Sequence, residues 1–490
     1  MKTFYIQTLG CKVNQYESEQ VIALLRSRGL VETAPQHAEL RIINSCSVTV
    51  QAASQSRQTT RRMVKLPILP DARADSLNRE LQEGDQSTEG SKVTLRPRVL
   101  VMGCWATSDK TSAQSLPGVD AVLTHHDNIA AELDRLLMEW SRPESGEYVK
   151  EFPKNLGPLC AELRRSPGTN SLPLLGEHQS GRQRAFLKVQ DGCDAHCTYC
   201  IIPSLRPSLF SKTVDDAVDE AARLIARGHV EIVLTGIFLG AYGQPTALRR
   251  RQPAGAAPLA GLIRALCTRV PGLQRLRLSS LEPGDLTDEL LKELASHEQV
   301  VPHFHLPLQS GSDEILRRMN RQYRRDDFLA MVEKVHAAFD RPALTTDVIA
   351  GFPGETDQDF EQTVEIVNRS RFIHVHAFPF SPRPGTAAAR WGAQFVRGPV
   401  VNQRIDHLIS LADRHSFRFR SQFIGERVNA IVERWDAGSV DAGLRQGRTE
   451  RYFSVHFDAP FAQPGDRLEV RIDRVTPGRT FGVLSQPGEQ

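Results

Sequence analysis

The feature that most constrains the fold is a sixfold alternation of strand-like and helix-like segments between residues 184 and 390. Short apolar runs such as VEIVLTG precede segments with apolar residues at helical spacing, such as LTDELLKELASH. Alternation of this kind demands a parallel sheet with right-handed crossovers. The sequence therefore predicts an α/β protein with an open, barrel-like (β/α)6 sheet, whose ligands bind at the carboxyl ends of the strands.

Three cysteines follow the first of these strands. The stretch DGCDAHCTYC places three residues between Cys193 and Cys197 and two between Cys197 and Cys200. Three thiolates hold three irons of a [4Fe–4S] cluster and leave the fourth iron open, whereas four thiolates close a structural zinc site. The spacing therefore predicts an iron–sulfur site. Three zinc ligands with a distant fourth, or a chance grouping of cysteines, are the alternatives.

The amino terminus, MKTFYIQTLGCKVNQ, lacks the apolar stretch and the cleavage site of a secretory signal. The sequence contains no run of about 18 apolar residues, so no membrane span is expected. We therefore expect a cytoplasmic, reducing location, where clustered cysteines are more often metal ligands than disulfides.

The pattern C-x3-C-x-aromatic-C, with Tyr199 as its aromatic residue, resembles the cluster motif of the radical S-adenosylmethionine (SAM) superfamily. The resemblance implies that the methionine part of SAM chelates the open iron, and that one electron cleaves SAM to a 5′-deoxyadenosyl radical. It gives Cys193, Cys197 and Cys200 a catalytic role, and it places Tyr199 against the adenine of SAM.

Polar residues and glycine stand at the ends of the later strands, where a cofactor is expected. We predict cofactor contacts from Thr235, Gly236, Glu282 and Asp347. A tight turn at Thr235 and Gly236, and a solvated turn at Glu282, are the alternatives. Four histidines that alternate along two strands are expected to line the sheet rather than to bind metal: His303, His305, His374 and His376.

Three further cysteines, Cys11, Cys46 and Cys104, each follow a strand-like run near the amino terminus. In an open α/β sheet the carboxyl ends of such strands converge at one edge. Three cysteines that are distant in sequence are then brought together, which predicts a second metal site. Because this site again offers three thiolates, a second cluster with one open iron is the natural inference. A preference of cysteine for the ends of apolar strands is the alternative.

Two open clusters in one chain resemble the methylthiotransferases, a radical SAM family, over nearly the whole sequence. TLGCKVNQYES and SPRPGT are most similar to the subfamily that modifies threonylcarbamoyladenosine in tRNA. The resemblance implies a flavodoxin-like cluster domain over residues 1–140, a radical SAM domain over 184–415 and a TRAM-like RNA-binding domain over 416–490. Residues 66–97 are predicted to be a disordered insertion, and residues 141–183 a linker.

The implied reaction adds a methylthio group to C2 of N6-threonylcarbamoyladenosine at position 37, next to the anticodon of tRNA. It uses two SAM molecules and two [4Fe–4S] clusters, with a flavodoxin or a ferredoxin as electron donor. Isopentenyladenosine in tRNA and a ribosomal protein are the alternative acceptors.

One loop departs from the family pattern. After CTYCIIP the family usually has Arg-Gly, whereas this chain has Arg206 and Pro207 within the loop Ser204–Lys212. Proline fixes φ and removes a backbone donor. A catalytically silent iron–sulfur protein that binds RNA is therefore a further alternative.

The carboxyl-terminal segment contains short strand-like runs separated by Gly, Asp and Pro turns, which predicts a small β-barrel. Because the net charge is only +3, a nucleic-acid footprint has to be local. Arg445, Arg448 and Arg451 are predicted to contact phosphates, with Tyr452 stacking on a base. A solvated barrel face with interspersed acidic residues is the alternative.

Overall fold

The computed structural model describes residues 1–69, 96–141, 172–175, 183–253, 257–434 and 443–485. The chain forms two compact units, Met1–Leu175 and Gly176–Gln490, which are described separately. Most of the predicted insertion and of the predicted linker lies outside the described residues. The domain boundaries drawn from the sequence stay a prediction.

The first unit is built on a parallel sheet with the strand order β2-β1-β3-β4-β5. This is the flavodoxin-like order, as predicted. Its central strand is buried along its whole length, as expected for a parallel strand between helices. The strands are β1 Thr3–Thr8, β2 Val31–Glu32, β3 Leu40–Ser45, β4 Arg98–Gly103 and β5 Ala121–Val122.

Helices pack on this sheet through apolar side chains. Val21 and Leu25 of the first helix join Ile42 and Leu100 of the sheet in one buried core. Thr49 caps the second helix, because its hydroxyl accepts a hydrogen bond from the Ala52 N–H. The helices are α1 Lys12–Ser27, α2 Val50–Lys65, α3 Cys104–Ser108, α4 Lys110–Gln114 and α5 Ile129–Trp140.

The second unit begins with the predicted alternation of strands and helices. One sheet has the order β7-β6-β8-β9 and the next has the order β10-β11-β12. A parallel bridge between Leu276 and Val300 links the two sheets. All of these strands pair in parallel except β7, which gives the open (β/α)6 sheet predicted from the sequence. The strands are β6 Arg184–Asp191, β7 Phe210–Ser211, β8 Glu231–Gly236, β9 Arg275–Leu278, β10 His303–His305, β11 Ala343–Ala350 and β12 His374–Pro379.

Threonine caps start several helices around this sheet. The hydroxyls of Thr213, Thr287 and Thr356 accept hydrogen bonds from backbone N–H groups in the first turn of the helices that follow them. The helices are α6 Ile202–Leu205, α7 Val214–Ala226, α8 Pro258–Arg269, α9 Asp288–Ala295, α10 Asp313–Arg318, α11 Arg325–Ala338, α12 Asp357–Ser370 and α13 Gly398–Ser421.

The chain ends in a closed five-stranded barrel, as predicted. Val455, Phe457 and Val470 are buried in its core. Arg275 of the parallel sheet donates a hydrogen bond from Nη2 to the Asn429 carbonyl oxygen of the barrel, across 2.7 Å. The barrel strands are β13 Arg427–Val432, β14 Leu444–Thr449, β15 Ser454–Asp458, β16 Arg467–Val475 and β17 Thr480–Leu484. Among the helices described here, none combines the length and the apolar character needed to cross a bilayer.

Candidate metal centres

The trio Cys193, Cys197 and Cys200 lies in the loop that follows β6. Gly192 makes the turn into this loop with φ of +78°, and a Cβ there would lie 2.0 Å from the Ser208 carbonyl oxygen. The Cys193 N–H donates to the Arg206 carbonyl oxygen across 3.1 Å. Only glycine fits this close approach of two backbone segments, so the Gly-Cys pair fixes where the first thiol stands.

The three thiols of this trio affect one another. Burial, together with the charge of Cys197, raises the pKa of both Cys193 and Cys200 to about 12. The Ala195 N–H donates to the Cys193 Sγ across 3.4 Å and partly opposes this shift. Thiols in this state are protonated at neutral pH, so iron binding has to displace their protons.

Arg321 lies beside this trio. Its Nη1 is 3.3 Å from the Cys197 Sγ and 3.4 Å from the Tyr199 hydroxyl oxygen, and its Nη2 pairs with the Glu282 carboxylate. Burial opposes the charge of this guanidinium, but the Glu282 carboxylate raises the pKa of Arg321 well above its usual value. Two residues predicted from the sequence, Tyr199 and Glu282, are thereby joined to the trio. The sequence does not single out Arg321, because it is one of five arginines in RRMNRQYRR.

The loop with the unusual proline is held closely against the trio. The Arg206 guanidinium is buried, and its Nη1 lies 2.8 and 2.9 Å from the two oxygens of Asp191. Asp191 also accepts a hydrogen bond from the Gly192 N–H across 2.8 Å. The loop therefore closes onto the end of β6 despite Pro207.

The remaining predicted cofactor residues lie on two strands. Thr235 is buried at the end of β8, and a Cβ on Gly236 would lie 2.9 Å from the Cβ of Gln190. Asp347 lies in β11, with its Oδ2 at 3.2 Å from the Nε2 of His305. Asp347 thus joins a group of histidines, and its predicted contact with SAM stays a prediction.

The second trio follows the carboxyl ends of β1, β3 and β4, at the edge where the flavodoxin-like order places ligands. Gly10 and Gly103 precede Cys11 and Cys104 with φ of +96° and +91°. A Cβ on Gly10 would lie 2.8 Å from the Cys46 Sγ, which brings the turn before Cys11 against the second cysteine. Cys46 and Cys104 are buried and Cys11 is exposed.

Asn14 lies between two thiols of this trio. Its Oδ1 is 4.0 Å from the Cys11 Sγ and 3.8 Å from the Cys104 Sγ. Its Nδ2 donates to the carbonyl oxygen of Leu9, the residue after β1, across 2.9 Å and to that of Ser45, the last residue of β3, across 3.0 Å. One buried amide therefore ties two cysteines to two strand ends. The motif CKVNQ contains this residue, but nothing in the sequence distinguishes it from a surface asparagine.

The predicted RNA-binding residues make contacts within the second unit. The Tyr452 ring lies 4.7 Å from the ring of His303 and 4.8 Å from the guanidinium of Arg277. Arg448 pairs with Glu433 at 2.9 Å, and Arg451 pairs with Glu450 at 2.7 Å. Arg445 donates to the Pro460 carbonyl oxygen across 2.9 Å. The RNA contacts of these four residues stay a prediction.

Two protein-family models match this chain, and each covers one of the two cysteine trios. A model of the Radical SAM superfamily matches residues 187–367, which include the trio after β6. A second model, described as Uncharacterized protein family UPF0004, matches residues 3–124, which include the other trio.

Two bacterial relatives match nearly the whole chain. Threonylcarbamoyladenosine tRNA methylthiotransferase MtaB of Bacillus subtilis is 32% identical over 475 residues, covering 96% of this chain and 94% of that protein. The tRNA-2-methylthio-N(6)-dimethylallyladenosine synthase 1 of Mycobacterium marinum is 32% identical over 497 residues, covering 97% and 84%. This chain belongs to the radical SAM tRNA methylthiotransferases. Its activity is methylthiolation of an adenosine in tRNA, and the cofactors of this family are SAM and two [4Fe–4S] clusters.

A solved radical SAM protein shares the fold of this methylthiotransferase. The methyltransferase TsrM from Kitasatospora setae, with cobalamin and a [4Fe-4S] cluster bound, matches with a TM-score of 0.51 and 14% identity. The match covers 79% of this chain and 77% of TsrM. At this identity the likeness concerns the fold alone. In the methylthiotransferase itself, three thiols after β6 and three at the edge of the first sheet fit two clusters that each leave one iron open.

Proposed function

We propose that this methylthiotransferase acts on C2 of N6-threonylcarbamoyladenosine at position 37, next to the anticodon of tRNA. The main observation that supports a methylthiolation reaction is the presence of two cysteine trios, each at the carboxyl ends of parallel strands. The acceptor is supported by TLGCKVNQYES and SPRPGT, and by relatives named for threonylcarbamoyladenosine. Relatives named for dimethylallyladenosine make that base the second candidate acceptor.

The two trios have different roles in this proposal. Cys193, Cys197 and Cys200 hold one cluster, and the trio at the edge of the first sheet holds the other. When bound, the first cluster supplies the electron that cleaves SAM, and the second supplies the sulfur to be transferred. Neither task can be done by acid–base side chains, because C2 of the purine carries no acidic proton.

The side chains near the first trio prepare this site. Arg321 holds Cys197, Tyr199 and Glu282 in one arrangement, which fixes the loop and places a cation beside a thiolate. Tyr199 is then positioned to pack on the adenine of SAM. The contact between Arg206 and Asp191 supports an active enzyme over a silent RNA-binding protein, because the loop closes without the family's glycine.

The remaining partners follow from the reaction. Reductive cleavage of SAM needs an electron donor, and a flavodoxin or a ferredoxin is proposed. The carboxyl-terminal barrel is proposed to bind the anticodon loop. Because Arg448, Arg451 and Tyr452 make internal contacts, we propose that Arg471, an exposed arginine of β16, contacts phosphates as well. A cytoplasmic location goes with a tRNA substrate and stays a prediction.

The experiment is complementation of a bacterial strain whose own threonylcarbamoyladenosine methylthiotransferase gene is deleted. Nucleosides from its tRNA are analysed by mass spectrometry. The wild-type chain is expected to restore the methylthio derivative, and Cys197→Ala and Cys104→Ala are expected not to. Cys267→Ala, a buried cysteine outside both trios, is the matched control and is expected to restore it. Restoration of only the methylthio derivative of isopentenyladenosine, in a strain that lacks that enzyme, would show that the acceptor is the other base.

A further inference from the structure

We propose that His305, Asp347 and His376 form a binding site for one divalent cation of the borderline class, such as Fe²⁺, Co²⁺ or Zn²⁺. None of these three residues belongs to either cysteine trio. The inference does not depend on which adenosine the enzyme modifies.

The register of three neighbouring strands brings the three side chains together. His305 of β10 pairs with Thr345 of β11, and Asp347 of β11 pairs with His376 of β12. Side chains two residues apart on a strand share a face, so Thr345 and Asp347 lie on the same face as the two histidines. The site is thus built on the sheet itself and not on loops.

The distances suit a metal ion. The His305 Nε2 is 3.2 Å from the Asp347 Oδ2, and the three ligand atoms all lie within 4.8 Å of one another. Ligands bound at about 2.1 Å from zinc or a similar ion stand about 3 to 4 Å apart. His376 is exposed, so its ring has room to turn toward the other two ligands.

Each histidine has a partner on its other ring nitrogen. The His305 Nδ1 lies 3.0 Å from the Thr345 Oγ1, and the His376 Nδ1 lies 3.2 Å from the Nε2 of His374. In metal sites such partners fix the orientation and the tautomer of the ligating imidazole. Here the contact with Thr345 directs the Nε2 of His305 toward the Asp347 carboxylate. This is why we depart from the expectation that these histidines only line the sheet.

Two imidazoles and one carboxylate select the kind of ion and its reactivity. This ligand set suits divalent iron, cobalt and zinc, and it leaves coordination positions open to water or to an oxygen donor of a bound ligand. A simple ion pair between His305 and Asp347 would account for two of the residues. It would not account for His376 and its contact with His374.

The test uses the full chain with both clusters reconstituted under anaerobic conditions, so that the thiols are occupied. The protein is dialysed to equilibrium against Co²⁺, and bound cobalt is counted by mass spectrometry. We expect about one cobalt per wild-type chain at the plateau, with affinity at least tenfold weaker in His376→Ala and in Asp347→Asn. Since His376 is exposed, its removal does not threaten folding. Thr345→Val is expected to weaken binding about tenfold to a hundredfold, because it removes the partner of a ligand.

The matched control is His297→Ala. The Nε2 of His297 lies 2.7 Å from Glu293, and this pair belongs to no such trio among the residues described. Its cobalt binding is expected to equal that of the wild type, and X-ray absorption at the cobalt edge is expected to show nitrogen and oxygen neighbours only. Equal binding by the wild type and His376→Ala, or sulfur neighbours of cobalt, would overturn the proposal.

Discussion

Arg321 donates a hydrogen bond from Nη1 to the Sγ of Cys197 across 3.3 Å. A buried cation therefore touches one of the three thiols after β6, while Glu282 balances its charge. An electron added to a cluster at this trio would increase the negative charge next to Arg321. The guanidinium thus favours the reduced state of the cluster. Arg321 lies 124 residues after Cys197 in the sequence, so only folding brings the two together.

Arg321→Met is expected to lower the reduction potential of the cluster at this trio. Loss of this cation leaves the negative charge of Glu282 near the cluster, and it is expected to shift the reduction equilibrium about tenfold, which equals about 59 mV for one electron. The measurement is a redox titration followed by electron paramagnetic resonance. Arg317→Met is the control, because Arg317 is exposed and pairs with Glu314 on the surface. An unchanged potential in Arg321→Met would show that Arg321 only supports the loop.

Asn14→Ala is expected to remove the cluster of the first unit while leaving the other in place. The substitution removes the amide donor from the buried carbonyl oxygen of Ser45, at a cost of about 1–3 kcal/mol, and from the half-buried carbonyl oxygen of Leu9, at a smaller cost. It also frees Cys11 and Cys104 to move apart. Iron after reconstitution is expected to fall from about eight to about four per chain.

The control for Asn14 is Asn128→Ala. Asn128 caps α5 by accepting a hydrogen bond from the Ala131 N–H and does not touch a cysteine of the trio. Its loss is expected to cost about 1 kcal/mol of stability and no iron. If Asn14→Ala still binds about eight irons, the amide is not needed to hold the trio together.

How far the sequence predicts this structure depends on the range of the contacts. The alternation of strands and helices and the six cysteines follow from local patterns, and both are visible in the sequence. The roles of Asn14 and Arg321 are not visible, because each depends on residues brought near by folding. Tyr452 shows a third limit: the sequence places it in the turn between two barrel strands, but it does not indicate that His303 of another sheet lies against it.

Tyr452→Ala is expected to destabilise the second unit. Its ring packs on His303 and lies close to the guanidinium groups of Arg184, Arg277 and Arg448, at 5.1, 4.8 and 5.0 Å. Because this ring is half-buried, its removal is expected to cost about 1–3 kcal/mol. Thermal unfolding measures this loss of stability, and tRNA binding below the melting temperature measures any role of Tyr452 in RNA contact.

Arg471→Glu, on the exposed face of β16, is expected to weaken tRNA binding and leave the melting temperature unchanged within about 2 °C.

Gly103→Ala is expected to destabilise the first unit strongly. With φ of +91°, an added Cβ would lie 2.3 Å from the Asn44 Oδ1 and 2.5 Å from the Ser45 carbonyl oxygen. Backbone strain and overpacking together are expected to cost about 3 kcal/mol. Gly29→Ala is the matched control, since its φ is +82° and nothing lies within 4 Å of the added Cβ. That variant is expected to lose about 1 kcal/mol, and equal losses in urea unfolding would contradict the steric argument.

The loop after the first trio offers a direct test of whether its proline matters. Pro207→Gly is expected to leave reductive cleavage of SAM within about twofold of the wild type, because the contacts of the loop are made by Arg206 and not by residue 207. Arg206→Met is expected to abolish it, since this change removes the guanidinium that contacts both oxygens of the buried Asp191 and loosens the loop whose carbonyl oxygen accepts the Cys193 N–H. The measurement is the formation of 5′-deoxyadenosine by the wild type and the two variants, compared at equal iron content per chain. A wild-type chain that forms none, together with a Pro207→Gly chain that does, would show that the proline silences the enzyme.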